Sequence, residues 1–199
     1  MRVIAGKYRS RPLKSLKGMM LRPTSDRLRE TLFNILAERV VDSRFVDAFA
    51  GTGAVGIEAL SRGAKEVVFI EKHAAAATLI KKNLELLKIR SGARVLSLDA
   101  LKGLRMLAKA NAGTGGAPDL VFLDPPYANA EDYDRVLSFL GSATLLSEGS
   151  LVIAEHRPQF GLPETVGALQ CVRVLRQGDA TVSFYRFVEK TTERNAASE

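Results

Sequence analysis

Four places in this sequence combine residue types that could do chemistry. The most informative is Asp124-Pro125-Pro126-Tyr127. Two consecutive prolines stop a strand abruptly, and Pro126 keeps Pro125 out of the helical region. The Asp124 carboxylate and the Pro125 carbonyl are then two rigid acceptors, with Tyr127 as a flat platform beside them. That set suits an exocyclic amino group on a planar nucleobase; the plain alternative is a rigid turn with a buried ring. The second place runs from Asp47 through Phe49 to Gly51, Gly53 and Gly56, whose glycines match G-x-G-x-x-G. Such glycines let backbone approach a ligand at a helix N-terminus, which favours a negative group. A tight strand-to-helix turn would leave the same pattern. The third is Glu71, where an acid can accept two hydrogen bonds from a ribose diol. The fourth is Asp99-Ala100, whose carboxylate suits an amino group such as that of adenine, or caps the helix that follows.

Each place falls where a strand should end. Apolar runs at 45–49, 67–70, 94–98, 119–123 and 150–154 read as strands. Between them, helical periodicity covers 54–62, 74–88, 101–110 and 131–140. This alternation implies an α/β fold: a mostly parallel sheet with helices on both faces. Ligands of such sheets bind outside the carboxyl ends of the strands, at the switch point. Segments 172–175 and 181–188, joined at Gln177-Gly178-Asp179, alternate like an antiparallel pair and add an antiparallel C-terminal edge. Ahead of the sheet, Thr24 or Ser25 caps an amphipathic helix reaching about Arg39. Residues 1–16 read as a small N-terminal β-hairpin with a turn at Gly6-Lys7. The chain therefore divides into an extension at 1–23, a main domain at 24–190 and a polar tail at 191–199.

The formal net charge is +7, and it is unevenly placed. Nine of the 29 basic residues but only two of the 22 acidic ones lie in residues 1–30, leaving 20 of each in the rest. A concentrated basic segment attracts a polyanion with salt-sensitive affinity. Arg9, Arg11, Lys14 and Arg22 are the candidates for phosphate contacts, against the alternative of a solvated arm. One cysteine, Cys171, excludes an internal disulfide framework, and with only two histidines no metal centre is expected. The lone thiol suits a reducing, cytoplasmic setting, and no apolar run is long enough for a membrane span.

Together the motifs resemble a known family. Asp47-x-Phe49-x-Gly51-x-Gly53 is similar to the cofactor motif of class I S-adenosylmethionine-dependent methyltransferases, whose fold is Rossmann-like. Asp124-Pro125-Pro126-Tyr127 resembles the Asn/Asp-Pro-Pro-Tyr/Phe motif of the amino-group nucleic-acid methyltransferases among them. The string from Arg22 to Leu36, the opening Met1-Arg2-Val3-Ile4-Ala5-Gly6 and the run from Gly56 to Ala64 resemble the RsmD family, bacterial 16S ribosomal RNA guanine-N2 methyltransferases. That resemblance implies S-adenosyl-L-methionine as cofactor. Asp47, Phe49, Gly51 and Gly53 would lie along its methionine portion, Glu71 at the ribose, and Asp99 with Ala100 at the adenine. Asp124, Pro125, Pro126 and Tyr127 would hold the target guanine. The implied partner is 16S rRNA, within the small ribosomal subunit or an assembly intermediate. Three other readings compete. A nicotinamide-dependent oxidoreductase would explain the glycines and Glu71 but not Asp-Pro-Pro-Tyr. An adenine-N6 or cytosine-N4 DNA methyltransferase would more often begin that motif with Asn or Ser. A non-enzymatic ribosome-assembly factor would not need acids at four strand ends.

Overall fold

The computed structural model describes residues 1–15, 24–111, 116–126, 130–142 and 145–189. Five strands, β1 (Arg44–Asp47), β2 (Glu66–Ile70), β3 (Ala93–Leu96), β4 (Leu120–Leu123) and β5 (Leu151–His156), alternate with helices. The helices are α1 (Asp26–Leu36), α2 (Ala54–Ser61), α3 (Ala74–Leu86), α4 (Ala100–Asn111) and α5 (Ala130–Leu140). Among the described residues, three further strands follow: β6 (Thr165–Val166), β7 (Leu169–Gln177) and β8 (Ala180–Phe187). The sheet order is β3-β2-β1-β4-β5-β8-β7-β6. β1 to β5 pair in parallel, while β8 runs antiparallel to β5 and β7. The expected mostly parallel sheet with an antiparallel edge is thus present. The short β6, antiparallel to β7, has no counterpart in the sequence pattern.

Alternate residues of the central strands enter two separate cores. Phe45, Val67, Phe69, Phe122 and Ile153 pack with α1, α2 and α3 on one face. Val46, Val68, Ile70, Val121 and Val152 pack with α4 and α5 on the other. Both faces being covered, the middles of β1, β2, β4 and β5 are apolar on both faces, as buried parallel strands require. Helix α1 starts at Ser25, whose Oγ accepts the Leu28 N–H at 3.1 Å. It ends at Leu36, and a 3₁₀ turn at Ala37–Val40 completes the span expected to about Arg39.

The N-terminal segment doubles back, but its ladder is a single antiparallel bridge, Arg2 with Pro12, and a 3₁₀ turn spans Gly6–Tyr8. The expected hairpin is shortened because its donors are captured elsewhere. The N–H groups of Ile4 and Ala5 donate to the Glu58 carboxylate at 2.7 and 3.0 Å. Tyr8 N–H donates to Ser61 Oγ at 2.9 Å, and Lys14 N–H to Asn83 Oδ1 at 2.8 Å. Gly6 lies so close to α2 that a Cβ there would stand 1.9 Å from the Ser61 carbonyl oxygen. Val3 and Leu13 join the same core as Leu32 and Phe33, so this loop is mounted on the sheet domain through packing as well as hydrogen bonds. Arg9, Arg11 and Lys14 remain exposed. Arg22 lies outside the described residues.

Candidate active site

Because β1 to β5 are parallel, their carboxyl ends share one edge of the sheet. Neighbouring β1 and β4 mark the switch point: the chain moves outward from β1 to β2 and β3, and from β4 to β5. Backbone bonds stitch this edge. Ala48 N–H donates to the Phe122 carbonyl, Ala50 N–H to Ile70 and Glu71 N–H to Leu96, each at 3.0 Å.

The Gly-rich turn after β1 is held by two acids. The Glu71 carboxylate accepts the Gly51 N–H at 2.8 Å with one oxygen and the His73 N–H at 2.7 Å with the other. A carboxylate has about four lone-pair directions, so this leaves capacity for further donors. Asp47 is 1% exposed, and its Oδ2 accepts the Gly56 N–H at 3.0 Å. Burial pushes its carboxyl up to about 7, with the Glu71 charge adding and the Gly56 bond opposing. Gly51 has φ +52°, and a Cβ there would meet nothing closer than the Phe49 carbonyl oxygen at 4.0 Å. The turn is therefore both left-handed and open, a shape glycine adopts without strain. Asp99 Oδ1 accepts the Leu101 N–H at 3.1 Å, so this acid does cap α4. It is partly exposed, and Ala100 beside it is buried. An open glycine turn, a carboxylate suited to a diol and a second acid one strand further along fit the chemistry of S-adenosylmethionine.

Asp124 follows β4 directly and is partly buried, Pro125 is buried and Pro126 exposed. Tyr127 lies outside the described residues. The Asp124 carboxyl is held well above the usual carboxylate range, first by burial and then by the negative charges of Glu155 and Asp47; a hydrogen bond with Thr24 opposes. Glu155, on β5, is a residue the motifs do not single out. It is 3% exposed, and its Oε2 accepts the Thr24 hydroxyl at 2.8 Å. The Tyr133 hydroxyl donates to the Glu155 backbone carbonyl at 2.6 Å. Next to it, His156 pairs Nε2 with Ser183 Oγ and Nδ1 with the Arg157 carbonyl, both at 2.9 Å. Burial lowers its imidazole pKa. A strand drawn to end at Ala154 hides Glu155; one residue more of the same strand-end logic reveals it.

A concavity of about 600 Å³ opens at the opposite, amino end of the strands. Arg44, Lys65, Asp42 and Asp119 border it with both signs of charge, and none of the acids above reaches it. Among the described residues no cluster of His, Cys, Asp and Glu could hold a metal ion, and no helix is long and apolar enough to cross a membrane.

The parallel sheet with its antiparallel edge is the Rossmann-like fold of the S-adenosylmethionine-dependent methyltransferases, and the chain is one of them by the relatives that follow. Residues 1–186 match the family model described as "Conserved hypothetical protein 95", and the chain belongs to that family, which is the RsmD family. Among curated relatives, Ribosomal RNA small subunit methyltransferase D of Escherichia coli (strain K12) is 38% identical over 162 residues, covering 81% of this chain and 77% of that protein. YlbH of Bacillus subtilis (strain 168) is 37% identical over 186 residues, covering 94% of this chain and 98% of that one. The solved structure of Escherichia coli yhhF superposes with a TM-score of 0.79 at 36% identity, covering 94% and 97% of the two chains. An RNA methyltransferase from Salinibacter ruber in complex with S-adenosyl-L-homocysteine shares the fold at a TM-score of 0.60 and 16% identity, covering 86% of this chain and 97% of that one.

Proposed function

We propose that this enzyme methylates the exocyclic N2 amino group of a guanine in 16S rRNA, in the small ribosomal subunit or an assembly intermediate, in the cytoplasm. The observation that carries the reading is the adjacency of β1 and β4, which sets the Gly51 turn beside Asp124-Pro125 at one sheet edge. The names of the curated relatives support an rRNA substrate. S-adenosylmethionine, when bound, supplies an activated methyl group. Glu71 would hold its ribose hydroxyls, Asp99 and Ala100 its adenine, and Gly51, Gly53 and Phe49 its methionine portion, with Asp47 bracing the turn from below.

The chemistry asked of the chain is then placement and charge. A guanine amino nitrogen is a poor nucleophile because its lone pair is delocalised into the ring. Hydrogen bonds from this amine to the Asp124 carboxylate and the Pro125 carbonyl favour a pyramidal nitrogen and stabilise the positive charge that develops. Pro126 keeps these acceptors rigid, and Tyr127 would stack on the base. Holding the amine in line accounts for much of the remaining barrier. Arg9, Arg11, Lys14 and Arg22 would grip phosphates while one guanine is turned out of its stack.

The test is to incubate the enzyme with S-adenosylmethionine and either unmethylated 16S rRNA or small subunits, and to map N2-methylguanosine. The expected result is one modified guanine, lost by on the order of 100-fold in rate in Asp124→Ala with RNA binding retained. A fully active Asp124→Ala enzyme refutes the assigned role.

A further inference from the structure

The glycine turn of the cofactor site is also held from the side of α3. Asn83 lies on that helix and is fully buried. Its Oδ1 accepts the Lys14 N–H at 2.8 Å, and its Nδ2 donates to the Lys14 carbonyl and the Thr52 carbonyl, each at 3.2 Å. A side-chain amide has its two hydrogens at one end only. The Lys14 N–H must face the oxygen end, so the backbone of Lys14 fixes which way the amide points. One amide hydrogen then returns to the Lys14 carbonyl, and the other is directed at Thr52.

Thr52 is buried between Gly51 and Gly53. The peptide joining Thr52 to Gly53 has both polar groups engaged: its carbonyl takes the Asn83 hydrogen at 3.2 Å, and its N–H donates to the Ala50 carbonyl at 2.7 Å. Gly53 has φ +78°. Glycine takes either sign of φ at little cost, so the backbone alone does not keep this peptide from turning over. Ile80, one turn before Asn83 on α3, restrains the same spot by shape: a Cβ on Gly53 would stand 3.1 Å from its Cγ1. Glu71 holds the other end of the turn through the Gly51 N–H. The turn is thus shaped by an acid after β2 and an amide on α3, and that amide takes its orientation from the N-terminal loop.

Resting on the placement of S-adenosylmethionine at the Gly51 turn, we propose that Asn83 is a positioning residue for the cofactor, and that docking of the N-terminal loop sets cofactor affinity through it. With the loop docked, Asn83 is aligned and holds the Thr52 carbonyl. With Lys14 withdrawn, the amide is free to rotate and the carbonyl loses its fixed donor. The cofactor fits the docked arrangement and so favours docking; by linkage, docking favours the cofactor by the same factor. Lys14 itself is exposed beside the buried Leu13, so the backbone that orients Asn83 carries one of the candidate phosphate contacts.

The test is calorimetric binding of S-adenosylmethionine to wild type, Asn83→Ala and Glu71→Ala, each well below its unfolding temperature, with turnover kinetics beside it. Asn83→Ala should bind the cofactor about tenfold more weakly, the upper end of what one ordinary hydrogen bond contributes. KM for the cofactor should rise by a like factor while kcat at saturation holds. A residue that merely anchors the loop would lower Tm and leave both cofactor constants as they are, and that outcome overturns the proposal. Amide exchange in the wild-type enzyme supplies a readout that needs no variant to fold. Saturating S-adenosylmethionine should slow exchange of the Lys14 N–H, and an unchanged rate overturns the link to the loop. Glu71→Ala reads the placement itself. If it binds as wild type does, the cofactor lies elsewhere and the proposal falls with the placement. If it binds weakly while Asn83→Ala binds normally, the placement stands and the proposal alone is overturned.

Discussion

Replacing Glu58 by Gln tests how the N-terminal loop is mounted. Glu58 is fully buried; its two oxygens accept three hydrogen bonds and face the charge of Arg29. Oε2 takes the Ile4 N–H at 2.7 Å and lies 3.9 Å from the Arg29 Nε; Oε1 takes the Ala5 N–H at 3.0 Å and the Arg62 Nε–H at 2.7 Å. A glutamine must put an NH2 in place of one oxygen. Whichever it replaces, one backbone N–H and one arginine then face a donor. A buried donor left without an acceptor costs about 1–3 kcal/mol. Arg29, itself fully buried with its guanidinium pKa lowered by that burial, also loses a counter-charge. It keeps Asp26 at 3.0 Å, so the loss stays below the roughly 3–5 kcal/mol of breaking a buried pair outright. The two together come to about 3–5 kcal/mol. In a chain of this size each kcal/mol moves Tm by roughly 2–4 °C, so a fall of about 10 °C is expected. The assays are thermal unfolding and amide hydrogen exchange, with protection lost at Ile4 and Ala5 before the β1 and β4 amides. A variant with wild-type Tm and wild-type protection at both amides would refute the account of the mount.

Other expectations follow from the same edge of the sheet. Glu71→Ala should weaken S-adenosylmethionine binding at least ~10-fold by calorimetry, since a ribose-binding carboxylate contributes on the order of 1.5–3 kcal/mol; unchanged affinity removes Glu71 from the site. Asp47 is held near 7 in the fold against 3.8 in a free chain, so between about pH 4 and 7 the folded state keeps a proton that the unfolded chain has released. Stability therefore declines as pH rises through that window and levels off above it. Asp47→Asn cannot titrate, and urea titrations across the window should show a decline shallower by up to about 4 kcal/mol; an identical decline contradicts the burial argument. Neutralising Arg9, Arg11 and Lys14 to Gln should lower RNA affinity and reduce the salt slope by about 2, at roughly 0.7 per single-strand phosphate contact. Equal slopes would make the loop a solvated arm. Substitution is a cleaner test than deletion, because removing residues 1–15 would also strip Val3 and Leu13 from the core and leave Glu58 without its backbone donors.

What can be read from residues alone divides along a physical line. The five parallel strands and their helices are legible because burial on both faces leaves apolar runs such as Leu120–Leu123 that no surface segment would carry. The acids Asp47, Glu71, Asp99 and Asp124 are legible because each follows such a run. Glu155 is not, since a charged residue reads as the end of a strand. Its burial is sustained by Thr24, 131 residues away, a pairing that no local pattern encodes. The short N-terminal ladder has the same origin: Ile4 and Ala5 spend their donors on Glu58, 54 and 53 residues distant. The two-residue β6 is too brief to leave a periodicity at all.

The mount of that loop has a consequence for how the protein can change. Most of its polar attachments are made by backbone groups of the loop to Glu58, Ser61, Asn83 and Arg29 on the sheet domain, with Arg2 also facing Asp26 at 3.9 Å. Three of the loop's long side chains, Arg9, Arg11 and Lys14, are exposed and make no ion pair or side-chain hydrogen bond among the described residues. A change among them alters the charge offered outward while the path of the backbone stays the same. The electrostatic face and the scaffold beneath it can therefore vary separately. A lineage adapting to a different ribosome, or an engineer redirecting the enzyme to another polyanion, has a replaceable tread on a fixed wheel.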